Sequence, residues 1–356
     1  MLRTWLTDSL DVQVPVIGAP MAGISDARLA VAVSAAGGLG MIGVGSSRPP
    51  SWIREQAVLA GAGATSSLTS GEPAPYGIGL MAWALERDDA QLTAVLELRP
   101  RLVSISFGDV EPHVRRVADA GIAVTAQAGT VEEALHAEQA GVDFVVVRGA
   151  EAGGHGRNEL ATMPLLQAVL DRVGVPVVAA GGIATARGLA AVLAAGAVGA
   201  WVGTALLTAH EATNSHAARA RLIAAEHHQT VYGRVFDIAQ HLGWPPEYGG
   251  RSLRNSYVDR WHDRLDELAH DDDATRQLAA ARDTEDYDIA YLYAGQGVGS
   301  LLREQPAAEV IADLARAEYL LHDVAGGTAR SINTESRGDQ RSPLSTTSVH
   351  QDRPTG

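Results

Sequence analysis

The chain of 356 residues contains no cysteine. That excludes a disulfide framework, a thiolate metal site and a cysteine nucleophile. Lysine is missing too, since all 28 basic residues are arginine. A Schiff-base lysine and a phosphate-loop lysine are therefore ruled out. Positive charge is the minority, with 28 basic residues against 42 acidic ones and a formal net charge of −14. This balance argues against a nucleic-acid surface, which needs a basic patch. No run approaches the ~18 uninterrupted apolar residues of a membrane span. The first 20 residues include Asp8, Asp11 and Pro15 and hold no apolar core of a secretory signal. A soluble, cytoplasmic protein with neither a membrane nor a nucleic-acid partner is the expectation.

What is present is a rhythm. Hydrophobic residues make up 46% of the chain, and its length suits one large domain or two ordinary ones. Across the first 210 residues, eight short valine- and isoleucine-rich runs alternate with alanine-rich amphipathic runs. The eight are "VPVIGAP", "LGMIGVG", "YGIGLMA", "LVSISFG", "IAVTAQA", "VDFVVVRG", "VPVVAAGG" and "VGAWVGT". Their continuous apolar character fits parallel strands covered on both faces. Between them, Thr130 and Glu133 form a Thr-x-x-Glu capping box. Thr185 caps a helix whose Leu189, Val192 and Leu193 share one face. Gly121, Gly141 and Gly196 stand where helices end in a left-handed residue. Eight β-then-α units predict a (β/α)8 barrel over 1–210, with an open doubly wound sheet as the alternative. The rhythm then stops. Residues 211–325 read as a helical extension packing on the barrel, with "HEATNSHAARARLIAAEHH" as one helix. Residues 326–356, poor in large apolar side chains, read as a disordered tail.

Barrel sites lie at the C-terminal ends of the strands, and those after strands seven and eight commonly hold a phosphate. Here these ends carry Gly181 and Gly182, then Gly203 and Thr204. Such glycines either make tight turns or let backbone N–H groups cradle the phosphate of a cofactor. His155, in "AEAGGHGRNE", follows strand six beside them. It is either an active-site imidazole or a loop histidine bonded to backbone. Met21, in "GAPMAG", either lines a flat ligand or fills the core. His113, His136 and His216 fall on helix faces and are expected to be solvated. His227 and His228 are adjacent but lack the carboxylate spacing of a metal site.

Together, "PVIGAPMAGISDARLAVAVSAAGGLGMIG", "GAEAGGHGR", "VPVVAAGGIATARGLAAVLAAGA" and "VGTALL" resemble the nitronate monooxygenases, formerly called 2-nitropropane dioxygenases. The resemblance runs from about residue 3 to 322 and includes "RVFD", "RSLRN" and "YAGQGVG". It implies a TIM barrel that binds FMN and oxidises alkyl nitronates with O2, releasing a carbonyl compound and nitrite. Carried over by position, Pro20, Met21 and Ala22 would line the flavin ring, and Gly153 and Gly154 would pass beside it. Gly181, Gly182, Gly203 and Thr204 would bind its phosphate, and His155 would be the active-site histidine. Gly79, Gln127, Arg148 and Trp201 would also meet the cofactor. The family often has Asn at the position of Gly79 and Gln at those of Arg148 and Trp201. Gly79 removes a contact. Arg148 either places a cation near the flavin, favouring its anionic reduced form, or pairs with Glu151 or another loop acid.

The same group contains FMN-dependent enoyl-acyl carrier protein reductases, so an NAD(P)H-dependent reductase of enoyl thioesters or quinones is the alternative. A catalytically silent FMN-binding scaffold is the third reading, and turnover would separate it from both. A homodimer is left open.

Overall fold

The computed structural model describes residues 2–63 and 74–325. Eleven strands occur among them: β1 (Val16–Gly18), β2 (Gly40–Gly43), β3 (Tyr76–Met81), β4 (Leu102–Ser106), β5 (Ala123–Ala128), β6 (Phe144–Arg148), β7 (Gly154–Gly156), β8 (Val177–Ala180), β9 (Gly199–Val202), β10 (Thr230–Gly233) and β11 (Gly249–Leu253). Eight of these pair in parallel in the order β1-β9-β8-β6-β5-β4-β3-β2, each on one of the valine-rich runs. A parallel bridge between Ile17 and Leu39 joins the two ends of that order. The sheet is therefore a (β/α)8 barrel and not an open doubly wound sheet.

Both faces of these strands are dry, for different reasons. Val16, Ile42, Val145, Val147 and Val202 point out to the helices. Ile17, Met41, Phe144, Val146, Val178 and Trp201 alternate with them and fill the barrel. The first helix, Trp5–Leu10, closes the bottom with Leu6 and Leu10. Helix caps follow the sequence with one change. Thr130 accepts from the Glu133 N–H at 3.1 Å. The Glu133 carboxylate does not return to Thr130 to complete the box. It accepts from Gly129 N–H at 2.7 Å and from Arg157, because a cation from the His155 segment lies within its reach. Gly141 ends that helix at φ 96°, as a left-handed cap requires.

After β9 the chain leaves the barrel. The expected helix over "HEATNSHAARARLIAAEHH" is shorter, His216–Ile223, capped by Ser215. Beyond it lies a second apolar cluster built on Phe236, Tyr257, Trp261, Leu268 and Leu278. The last two helices, Ala307–Ala315 and Ala317–Ala325, come back to the barrel. Val310, Ile311 and Leu314 join the barrel's outer core and pack with the helices that follow β1 and β8. They stand where the eighth helix of the ring belongs. The tail expected from 326 onward lies outside the described residues. No described helix is long and apolar enough to cross a membrane.

The histidines correct the sequence reading at one point. His136 and His216 are open to solvent, beside Asp109 and Glu304 respectively. His113 is buried, and neither of its ring nitrogens has a hydrogen-bond partner. Its helix turns that face onto Val110, Val114 and Val117, so the imidazole is a core side chain. Burial, reinforced by Arg116, pushes its pKa down. The folded chain then binds fewer protons than the unfolded chain at acid pH, so stability falls as pH drops below about 6.5. His113→Leu is expected to raise the unfolding temperature, since a bare buried polar group costs about 1–3 kcal/mol. Melting curves at pH 5.5 and 7.5 check this. The gain must be larger at the acid end.

Candidate functional site

Period-two alternation sets the floor of the site. Gly79 on β3, Ser104 on β4, Gln127 on β5, Arg148 on β6, Ala180 on β8 and Trp201 on β9 all point up the barrel axis into one cavity. Its volume is about 530 Å³, within the ~300–1,000 Å³ of ligand pockets. All fourteen residues expected at the site line it, namely His155 and Pro20, Met21, Ala22, Gly79, Gln127, Arg148, Gly153, Gly154, Gly181, Gly182, Trp201, Gly203 and Thr204. The far wall comes from the excursion after β9, through Gln240, Leu242, Trp244, Arg282, Tyr291, Tyr293 and Gly297.

Gly79 has a structural cause. A Cβ there would run into the ring of Pro20, so no side chain fits without moving the β1 turn. Gly153 is explained differently from the expectation. A Cβ on it would strike the backbone of Ala294 and Gly295, so its first job is to let the excursion close down on the barrel. Gly181 and Gly182 hold φ of 115° and 69°, which side chains rarely adopt. The N–H groups of Gly182, Ile183 and Gly203 meet no acceptor among the described residues. Bare backbone donors on two neighbouring strand ends suit an anion. Thr204 adds to them. Its Oγ1 accepts from Gly295 N–H at 2.9 Å, which leaves its own O–H free to donate. The arrangement fits the phosphate of a bound cofactor.

Arg148 is buried and has no carboxylate partner among the described residues. Glu151 is taken by Thr162, whose N–H and O–H reach it at 2.7 and 2.8 Å. Of the two readings of Arg148, the pairing with Glu151 or another loop acid is not seen among the described residues. Instead, Nη2 of Arg148 donates to the carbonyls of Ala152, Gly153 and Gly154 at 3.3, 3.0 and 2.8 Å, and Nη1 to that of Arg157 at 3.4 Å. Burial lowers its pKa to about 10, so the guanidinium keeps its charge at neutral pH. It is a cation at the cavity floor, and the post around which the histidine segment wraps.

That segment is not a loop. Residues 154–156 form β7, which pairs antiparallel with β11, and β11 with β10. His155 faces Gly250 in this ladder. Its partner strand lies 95 residues on in the sequence, out of reach of any local pattern. The His155 ring stacks on Trp244, with centroids 3.8 Å apart and planes within 1°. Its Nε2 lies 2.7 Å from Oδ1 of Asp237, which is 1% exposed. Tyr293 Oη approaches the same oxygen at 3.5 Å, and burial, with Asp237 beside it, pushes that phenol well up.

Asp237, Trp244 and Tyr293 were missed as site residues from the sequence. The available signals were an acid ending "RVFD" and a tryptophan inside the turn-rich "GWPP". His227 binds backbone, with Nδ1 2.7 Å from Gln296 O.

This architecture can hold a planar, phosphate-bearing cofactor below a histidine whose ring is clamped on three sides. The sequence matches the nitronate monooxygenase family model over residues 3–55 and 66–317. The chain belongs to the nitronate monooxygenase family. Like other nitronate monooxygenase relatives it is an oxidoreductase of the flavoenzyme kind. It is 32% identical over 354 residues to a nitronate monooxygenase of Paraburkholderia phytofirmans, covering 86% of this chain and 93% of that one. Among solved structures, FabK from Thermotoga maritima shares 26% identity with a TM-score of 0.78, covering 92% of this chain and 100% of that one. Nitroalkane oxidase from Streptomyces ansochromogenes shares 30% with a TM-score of 0.71, covering 89% and 99%.

Proposed function

We propose that this member of the family binds FMN in the cavity and oxidises small alkyl nitronates, and the nitroalkanes that give rise to them, using O2 and releasing a carbonyl compound and nitrite. The observation that carries this reading is the clamped His155, which lines the same cavity as the bare N–H groups of Gly182 and Gly203. Bound there, FMN would supply the transfer of electrons from substrate to O2. Gly182, Gly203 and Thr204 would hold its phosphate, while Pro20, Met21 and Ala22 would lie along its ring. Arg148 would set a positive charge at the floor of the cavity. His155 would take the α-proton of a neutral nitroalkane and neutralise the charge of a nitronate. Trp244 and Tyr293 would keep bulk water off that side. The family relationship and the nitroalkane oxidase neighbour support the substrate class.

A second reading, an NAD(P)H-dependent reductase of enoyl thioesters or quinones, is favoured by the likeness to FabK, whose TM-score exceeds that to nitroalkane oxidase. One experiment separates them. The purified protein should be yellow and release FMN on denaturation. Under anaerobic mixing, nitronates should bleach the flavin and NADPH should not. Bleaching by NADPH alone would establish the second reading, and FAD in place of FMN would overturn the cradle assignment.

A further inference from the structure

We infer that Asp237 is a positioning residue that fixes the tautomer of His155, so that Nδ1 is the proton-accepting atom presented to the cavity. The inference rests on the proposed role of His155 as a base. A carboxylate only accepts hydrogen bonds, so at 2.7 Å from Oδ1 of Asp237 the Nε2 atom must carry a proton. Nδ1 makes no hydrogen bond with any described residue, and the ring lines the cavity. The stack on Trp244 fixes the plane of the ring, and the hydrogen bond to Asp237 fixes which edge faces the carboxylate. The neutral imidazole therefore has one basic lone pair, on the side of the substrate.

The choice of residue argues the same way. Asp237 is almost fully buried, and its Oδ2 has no hydrogen-bond partner. An Asn would accept the same Nε2–H without burying a charge, and burying a charge is the larger penalty. A carboxamide, however, could rotate and offer its NH2, which would permit the opposite tautomer. What the carboxylate adds is a fixed acceptor and a negative charge beside the imidazolium. The charged and titratable groups around the pair are Tyr293 and Tyr291, Arg282, Arg234 and Arg148. Tyr293 reaches Asp237 at 3.5 Å, and Arg234 donates to Trp244 O.

In the step so arranged, the Cα–H bond of the nitroalkane breaks and its proton goes to Nδ1. The bonding pair moves into the carbon–nitrogen bond and a nitro oxygen, leaving the nitronate. Asp237 neither gains nor loses a proton.

The test uses the full-length, flavin-loaded protein and its Asp237→Asn variant. Ring nitrogen-15 shifts of His155 in the wild type should report a protonated Nε2 and a bare Nδ1, and the variant, whose carboxamide can offer its NH2 to Nε2, should report the opposite tautomer as the dominant form. In the variant, kcat/KM for nitroethane should fall about 100-fold or more, within the ~10²–10⁴ span of general-base removal. Turnover of ethyl nitronate should change by less than about tenfold, since no carbon-bound proton is removed from it. The acid limb of the nitroethane profile should move to lower pH, because loss of a neighbouring negative charge disfavours the imidazolium. A wild-type ring protonated at Nδ1 overturns the inference without any variant. So does an unmoved pH limb in a folded Asp237→Asn protein. Failure of the underlying reading looks different: the wild type would then turn over no nitroalkane, whatever its tautomer.

Discussion

His155→Asn should lose turnover of neutral nitroalkanes by about 10²–10⁴-fold, the span expected for removing a general base. Nitronate turnover should fall far less, because the anion arrives already deprotonated. The proposed phosphate cradle follows the ends of β8 and β9, away from the substitution, so the cofactor should stay bound. The structure adds a complication. Asp237 would lose the Nε2–H donor that it accepts from, and a buried polar group left without its hydrogen-bond partner costs about 1–3 kcal/mol. The single variant should therefore melt lower than the wild type. The double variant His155→Asn with Asp237→Asn should recover stability while remaining inactive on nitroalkanes. Steady-state kinetics on paired nitroalkane and nitronate substrates, with melting curves for each protein, check both halves. Equal and small losses on the two substrates would refute the base role.

Arg148→Met should be the most damaging substitution at the cavity floor. It keeps length and apolar bulk but removes every donor to the carbonyls of residues 152, 153, 154 and 157. These acceptors are part-buried, so each one left bare costs up to the ~1–3 kcal/mol of a fully buried group, against a total stability of roughly 5–15 kcal/mol for a folded protein. The segment that carries His155 should loosen, with cofactor affinity and unfolding midpoint falling together. Arg148→Lys should be intermediate, since a single ammonium cannot reach all four carbonyls in a fixed fork. Flavin titration and urea denaturation would measure both. A variant with unchanged midpoint would mean that the segment is held by its pairing with β11 alone.

The repeating part of this molecule could be read from its residues because each barrel strand is a continuous apolar run and each helix carries its own start and stop. Glycines at the ends of strands seven and eight pointed to the cavity for the same local reason. The other half of the site was hidden by distance along the chain. Asp237 means little beside Phe236 and Ile238 until β11 pairs with β7 and brings the excursion over His155. The burial of His113 was missed because a histidine on an amphipathic helix reads as polar, while its neighbours Val110, Val114 and Val117 claim that face for the core. Glu133 completed the wrong box on paper, since Arg157 was invisible at that spacing.

The eighth helical position of the ring is filled by residues 307–325, after a hundred-residue detour that builds one wall of the cavity. That wall is thus held at both ends by the barrel, at β9 where the chain departs and at Ala307 where it returns. During synthesis, all eight strands emerge before the helix that covers the seam between the first and the last. Until that helix arrives, the apolar groove it will occupy, beside Val33 and Leu189, is open to water. The nascent chain thus passes through a stage in which its cofactor cradle exists in sequence but its barrel is uncovered on one flank. Contacts this far apart in sequence make for slow folding, and a cofactor that binds only the finished ring would stabilise its final step by mass action.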